Sequence, residues 1–134
     1  MKKKFNTDCL IDDDPIFIFG ASHLMKQAAF CNSLIVYNNG KEALDQLKPI
    51  MASGDLEKVP DLILLDLNMP ILDGWGFLDA FITFTPPKPI EVYIVTSSVS
   101  NHDKQKAKKY ADAVKEYVIK PITPVKLKEI IEGE

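Results

Sequence analysis

Four short runs of mostly apolar residues end in side chains able to do chemistry. Cys9-Leu10-Ile11 stops at Asp12-Asp13-Asp14, and Leu62-Ile63-Leu64-Leu65 stops at Asp66. Glu91-Val92-Tyr93-Ile94-Val95 leads into Thr96, and Glu116-Tyr117-Val118-Ile119 into Lys120. Carboxylates brought within a few ångströms repel, and one would tend to hold a proton. A hard divalent cation removes that conflict, and Mg²⁺ suits a few carboxylates, a backbone carbonyl, waters and a phosphoryl oxygen. Lys120 adds a point positive charge, and the Thr96 hydroxyl can bond an arriving phosphoryl oxygen. Phosphoryl transfer is catalysed mostly by positioning and charge neutralisation, and this set supplies both.

These residues meet only if the runs are neighbouring strands. Between them the pattern turns helical. Pro15 fits the first turn of a helix that continues to about Phe30, with acids placed before it. Leu34–Tyr37 reads as a strand, closed by the turn Asn38-Asn39-Gly40. A second helix runs from Lys41 to about Leu47, where Pro49 kinks or ends it unless the helix runs on through the proline. A third starts near Gly74 or Trp75 and reaches about Phe84. Three prolines in Thr85–Pro89 enforce a loop. Further helices cover about Asn101–Tyr110 and Pro124–Ile131. Strands alternating with helices imply a parallel sheet covered on both faces, a three-layer α/β fold with five strands and five helices. Ligand sites of such sheets lie beyond the carboxyl ends of the central strands. For strand order 2-1-3-4-5 the four chemical ends are neighbours. Alone, Asp66 could cap a turn, the three aspartates could serve a helix start, and Thr96 could bond backbone; the convergence is what carries weight.

Arranged in this order, the pieces resemble the receiver domain of two-component response regulators. They are Leu10-Ile11-Asp12-Asp13-Asp14-Pro15, Asp66-Leu67-Asn68-Met69-Pro70-Ile71-Leu72-Asp73-Gly74, Val95-Thr96-Ser97 and Tyr117-Val118-Ile119-Lys120-Pro121. The resemblance implies a flavodoxin-like three-layer sandwich over a single domain, residues 1–134, with its core at about 8–131. It implies that Asp66 is the phosphoacceptor, that Asp13 binds Mg²⁺ directly, that Asp12 acts through water and that the Asn68 carbonyl is a further ligand. Lys120 would contact the phosphoryl group, the Lys120–Pro121 bond would be cis, and Thr96 and Tyr117 would form a switch pair. Asn68 and Ser98 would tune the lifetime of the acyl phosphate. The donor would be a histidine kinase or histidine phosphotransfer protein, and a downstream protein would read the switched surface. Where many relatives have a glycine-containing turn, this chain has Lys109-Tyr110-Ala111-Asp112-Ala113. Asn68 stands where a Mg²⁺-dependent phosphohydrolase typically wants a second acid, which counts against that activity.

Composition narrows the field further. The chain has 134 residues, 46% of them hydrophobic, and a net charge of −3. All 16 basic residues are lysine, so the side chain best suited to bidentate phosphate or base recognition is missing, and no direct nucleic-acid role is expected. No apolar stretch reaches membrane-span length, and Met1–Lys4 followed by Phe5-Asn6-Thr7-Asp8 reads as a solvated leader, so the expected location is cytoplasmic. Cys9 and Cys31 read as reduced, partly buried thiols. Lys104, Lys106, Lys108, Lys109, Lys115, Lys126 and Lys128 make the late helices basic, a solvated face or a dock for an acidic partner.

Overall fold

A strand that is buried on both faces must be apolar at every position, because successive side chains point to opposite sides. Leu62–Leu65 meets that condition: Leu62 and Leu64 enter one core and Ile63 and Leu65 the other. It is the central strand of the computed structural model, which describes residues 5–132. The elements are β1 (Phe5–Ile11), α1 (Pro15–Gln27), β2 (Cys31–Tyr37), α2 (Gly40–Ala52) and β3 (Leu62–Leu65). They continue as α3 (Gly74–Phe81), β4 (Glu91–Thr96), α4 (Asn101–Ala107), a 3₁₀ turn (Lys108–Tyr110), β5 (Val114–Ile119) and α5 (Pro124–Glu132). All strands are parallel, in the order β2-β1-β3-β4-β5. On one face Ala43 and Leu47 of α2 and Phe77, Leu78 and Phe81 of α3 pack over Ile63 and Leu65. On the other, Ala21 and Met25 of α1 and Leu127 and Ile130 of α5 pack over Leu62 and Leu64. Each of the leucine, isoleucine, phenylalanine and methionine side chains among them contributes about 1.5–3 kcal/mol through burial. The expected three-layer fold and strand order are both present.

Several boundaries differ from the sequence reading, each for a local reason. The segment read as a leader is the first half of β1. Phe5 is buried, its ring 5.2 Å from that of Phe30. The Asp61 carboxylate accepts the N–H groups of Asn6 (2.8 Å) and Thr7 (3.1 Å), and the Thr7 hydroxyl donates to the Glu57 carbonyl (2.7 Å). Polar partners thus satisfy polar residues on a strand that hydropathy alone hides. Met1–Lys4, the rest of that reading, lie outside the described residues. Helix α1 stops at Gln27 because Ala29 turns left-handed (φ 50°). The Phe30 N–H then reaches the Met25 carbonyl (3.0 Å) and the Ala29 N–H the Lys26 carbonyl (3.1 Å), a Schellman closure that drops Phe30 into the core. Helix α2 runs through Pro49 to Ala52. The proline deprives the Asp45 carbonyl of its helical partner, and that residue is exposed, so water can serve it.

Candidate functional site

The carboxyl ends of β1, β3, β4 and β5 form one crevice. Backbone bonds fix their relative heights: the Asp12 N–H donates to the Tyr37 carbonyl (3.0 Å), the Asp66 N–H to Ile11 (2.9 Å) and the Lys120 N–H to Thr96 (2.8 Å). One carboxylate oxygen from each of Asp12, Asp13 and Asp66 lies within 4.8 Å of the others. Asp12 and Asp66 are almost fully buried, 1% and 5% exposed, while Asp13 faces solvent. Lys120 reaches into this group, its Nζ 2.9 Å from Asp12 Oδ2 and 3.6 Å from Asp66 Oδ2. The same ammonium sits 4.3 Å from the centre of the Phe17 ring, which shields it from one side.

Each acid has a different local task. Asp12 Oδ1 accepts the Asp14 N–H at 2.8 Å. Its Oδ2, buried, is held by the Lys120 ammonium at 2.9 Å. Asp14 caps α1, accepting the N–H groups of Ile16 (3.0 Å) and Phe17 (3.4 Å), so of the three aspartates it is the one that serves the helix start. Asp66 Oδ1 accepts the Leu67 N–H at 2.8 Å. Burial pushes the Asp12 carboxyl above its usual range, and the nearby Asp66 charge adds to that against the pull of Lys120 and the Asp14 N–H. Burial alone would lower Lys120, but the bond to Asp12 and the charges of Asp12, Asp66 and Asp14 outweigh it and hold the ammonium above its ordinary value.

The loop from Asp66 to α3 is tightly folded. The Gly74 N–H donates to the Leu67 carbonyl at 2.9 Å, and a Cβ at Gly74 would lie 2.5 Å from the Asp66 carbonyl oxygen and 2.8 Å from the Leu67 Cα. Both are backbone atoms, so glycine is required. Ile71 is left-handed (φ 69°) and the Leu72 N–H donates to the Pro70 carbonyl at 2.7 Å, a γ-turn that a β-branched residue rarely occupies. Asn68 is exposed on this loop.

Thr96 is fully buried at the end of β4, where its Oγ1 accepts the Ser98 N–H at 3.3 Å. Tyr117 is half-buried, and its hydroxyl donates to the Ser98 carbonyl at 2.9 Å; burial raises its pKa. The Ser98 hydroxyl donates to Asp103 at 2.6 Å. The structure therefore brings Asp12, Asp13, Asp66 and Lys120 into direct proximity, sets Thr96 on the adjacent strand end, and places Tyr117 and Ser98 one contact further out. The Lys120–Pro121 bond is cis. Two participants escaped the sequence reading. Phe17 is one apolar residue among several on a helix, and Asp103 is a single acid within one, so neither has a pattern to set it apart.

The fit to a hard cation is chemical: an all-oxygen set of three carboxylates, two of them buried, whose mutual repulsion one lysine ammonium only partly offsets.

Known proteins resemble this chain over nearly its whole length. A family model described as "Response regulator receiver domain" matches residues 9–132. The probable methanogenesis regulatory protein FilR2 of Methanothrix harundinacea is 28% identical over 92% of this chain and 77% of its own. The nitrate/nitrite response regulator protein NarL of Escherichia coli is 31% identical over 88% of this chain, which spans 49% of that relative. Among solved structures, a two-component response regulator from Cytophaga hutchinsonii superimposes with a TM-score of 0.82 at 28% identity, over 99% of this chain and 100% of that one.

Proposed function

Since the chain belongs to the response regulator receiver domain family of two-component signalling, we propose that Asp66 accepts a phosphoryl group in a Mg²⁺-dependent reaction and that the modification switches a protein-binding surface. The observation that carries this reading is the grouping of Asp12, Asp13 and Asp66 around a single lysine at the strand ends.

An Asp66 carboxylate oxygen attacks phosphorus, an O–P bond forms, and the bond to the donor breaks with its electron pair leaving on the donor atom. For a phosphohistidine donor that atom is an imidazole nitrogen. Asp13, Asp66, the Asn68 carbonyl and, through water, Asp12 would hold the cation. When bound, it offsets the charge of the carboxylates and of the phosphoryl oxygens. Lys120 stays protonated and presents its ammonium to the incoming group, held in place by Asp12 and the Phe17 ring. The Leu67 N–H orients Asp66 Oδ1. The Thr96 hydroxyl then bonds a phosphoryl oxygen and Tyr117 turns inward. The product carries about two extra negative charges, which bias a pre-existing equilibrium between two surface shapes. Water slowly cleaves the acyl phosphate, with Asn68 and Ser98, two positions beyond Asp66 and Thr96, setting the lifetime. Receivers exchange signals with histidine kinases and downstream targets; the donor here is a histidine kinase or histidine phosphotransfer protein, acting in the cytoplasm. No described helix is long and apolar enough to cross a membrane.

Incubation with Mg²⁺ and acetyl phosphate, followed by intact-mass measurement, tests the reading. One added phosphoryl group is expected in the wild type and none in Asp66→Asn or with EDTA. An adduct that survives Asp66→Asn refutes the assignment.

A further inference from the structure

Outside the crevice, one carboxylate ties three elements together. Asp103 lies in the first turn of α4, three residues after its N-cap, Ser100. At that spacing an acid commonly reaches back to the N–H of the cap residue. Here the Ser100 N–H goes instead to the Ser98 hydroxyl (3.3 Å), and the Asp103 carboxylate is free to bridge. Its Oδ2 accepts the Ser98 hydroxyl at 2.6 Å, and its Oδ1 accepts the indole N–H of Trp75, on α3, at 3.2 Å. Trp75 is only 8% exposed, stacked on Tyr110 at 5.4 Å with the Lys106 ammonium 5.1 Å from its ring centre. Ser98 meanwhile donates its N–H to Thr96 and accepts the Tyr117 hydroxyl.

The segment after Thr96 is thus wired at both ends. Ser98 cannot shift without breaking its bond to Asp103 or carrying Asp103, and with it the start of α4, along. Either event withdraws or re-aims the acceptor of a largely buried indole N–H. We propose that Asp103 is a positioning residue, a clasp that holds Ser98 and α4 against Trp75 while Asp66 is unmodified and opens when Asp66 carries a phosphoryl group. This rests on Asp66 being the phosphoacceptor. Contacts made in one state only weigh against the other, so the clasp also restrains phosphorylation.

Trp75 is the only tryptophan in the chain, so the emission comes from the indole that Asp103 holds. The full chain is treated with Mg²⁺ and acetyl phosphate while adduct is followed by intact mass and Trp75 by fluorescence. In the wild type the emission should change with the half-time of adduct formation. Asp103→Asn leaves one of the two acceptor bonds; it should form adduct roughly 3- to 10-fold faster, with little change in emission. Ser98→Ala, which cuts only the hydroxyl arm, should likewise blunt the emission change. Trp75→Phe, which keeps a ring in the core but has no N–H, should share the faster rate; a merely structural role would lower stability without accelerating the reaction. Adduct with no emission change in the wild type overturns the clasp, as does a full emission change in Asp103→Asn. Absence of any wild-type adduct removes the phosphoacceptor reading and the clasp with it.

Discussion

At the scale of single residues, burial decides which groups hold protons. Asp8 on β1 is 0% exposed, on the strand but away from the crevice. Burial pushes its carboxyl up to about 8, the Cys31 side chain acts against that, and the charges of Asp61 and Glu91 add to it. The native protein therefore keeps this proton where the unfolded chain, with an ordinary value of 3.8, has lost it. Stability from this group is full below pH 4 and is lost as the pH rises towards 8. Between pH 4 and pH 7 the loss is on the order of 4 kcal/mol. Urea unfolding of wild type and Asp8→Asn should show the variant gaining on the wild type as the pH rises from 5 to 8. A constant gap between the two would contradict the buried-proton account. The chemistry-bearing residues of the crevice were legible because each interrupts an apolar run: Asp12, Asp66, Thr96 and Lys120 all stand where a strand must end. Asp8 and Asp103 were not, since a single acid beside a cysteine, or three residues into a helix, has no pattern to set it apart.

At the scale of elements, the loop from Asp66 to Gly74 does the positioning. Gly74 lets the start of α3 lie against the Asp66 and Leu67 backbones, which cannot yield to a side chain. Gly74→Ala should destabilise the fold by about 1–3 kcal/mol and slow adduct formation from acetyl phosphate by tenfold or more, because the loop that orients Asp66 must move. Unchanged kinetics, with folding intact, would show that the approach is not needed for the site. Strand β3 and helix α3 declared themselves through hydrophobic runs and the glycine. The first half of β1 did not, because Thr7 and Asp8 are polar residues buried on the strand, Thr7 with its hydroxyl on the Glu57 carbonyl, and hydropathy does not mark them. The end of α1 was likewise set by a left-handed Ala29, a position usually marked by glycine.

At the scale of the whole molecule, the sheet order gathers residues 12 and 120 from opposite ends of the chain onto one edge, and the basic late helices flank it. Part of that basic surface is already neutralised: Lys126 pairs with Glu116 (2.7 Å) and Glu129 (2.8 Å), and Lys115 with Glu91 (3.4 Å). Lys104, Lys108, Lys109 and Lys128 remain exposed beside the clasp and along α5. A charge added at Asp66 would thus be felt by a surface that is already positive, with Ser98, Asp103 and Trp75 as the mechanical link. All of this depends on where the phosphoryl group goes. The most direct measurement is to treat the protein with Mg²⁺ and acetyl phosphate, reduce it with borohydride, and map the product by peptide mass spectrometry. Reduction converts an aspartyl phosphate to homoserine. Homoserine at position 66, and none without Mg²⁺, is the predicted result; homoserine at another aspartate, or at none, would contradict it.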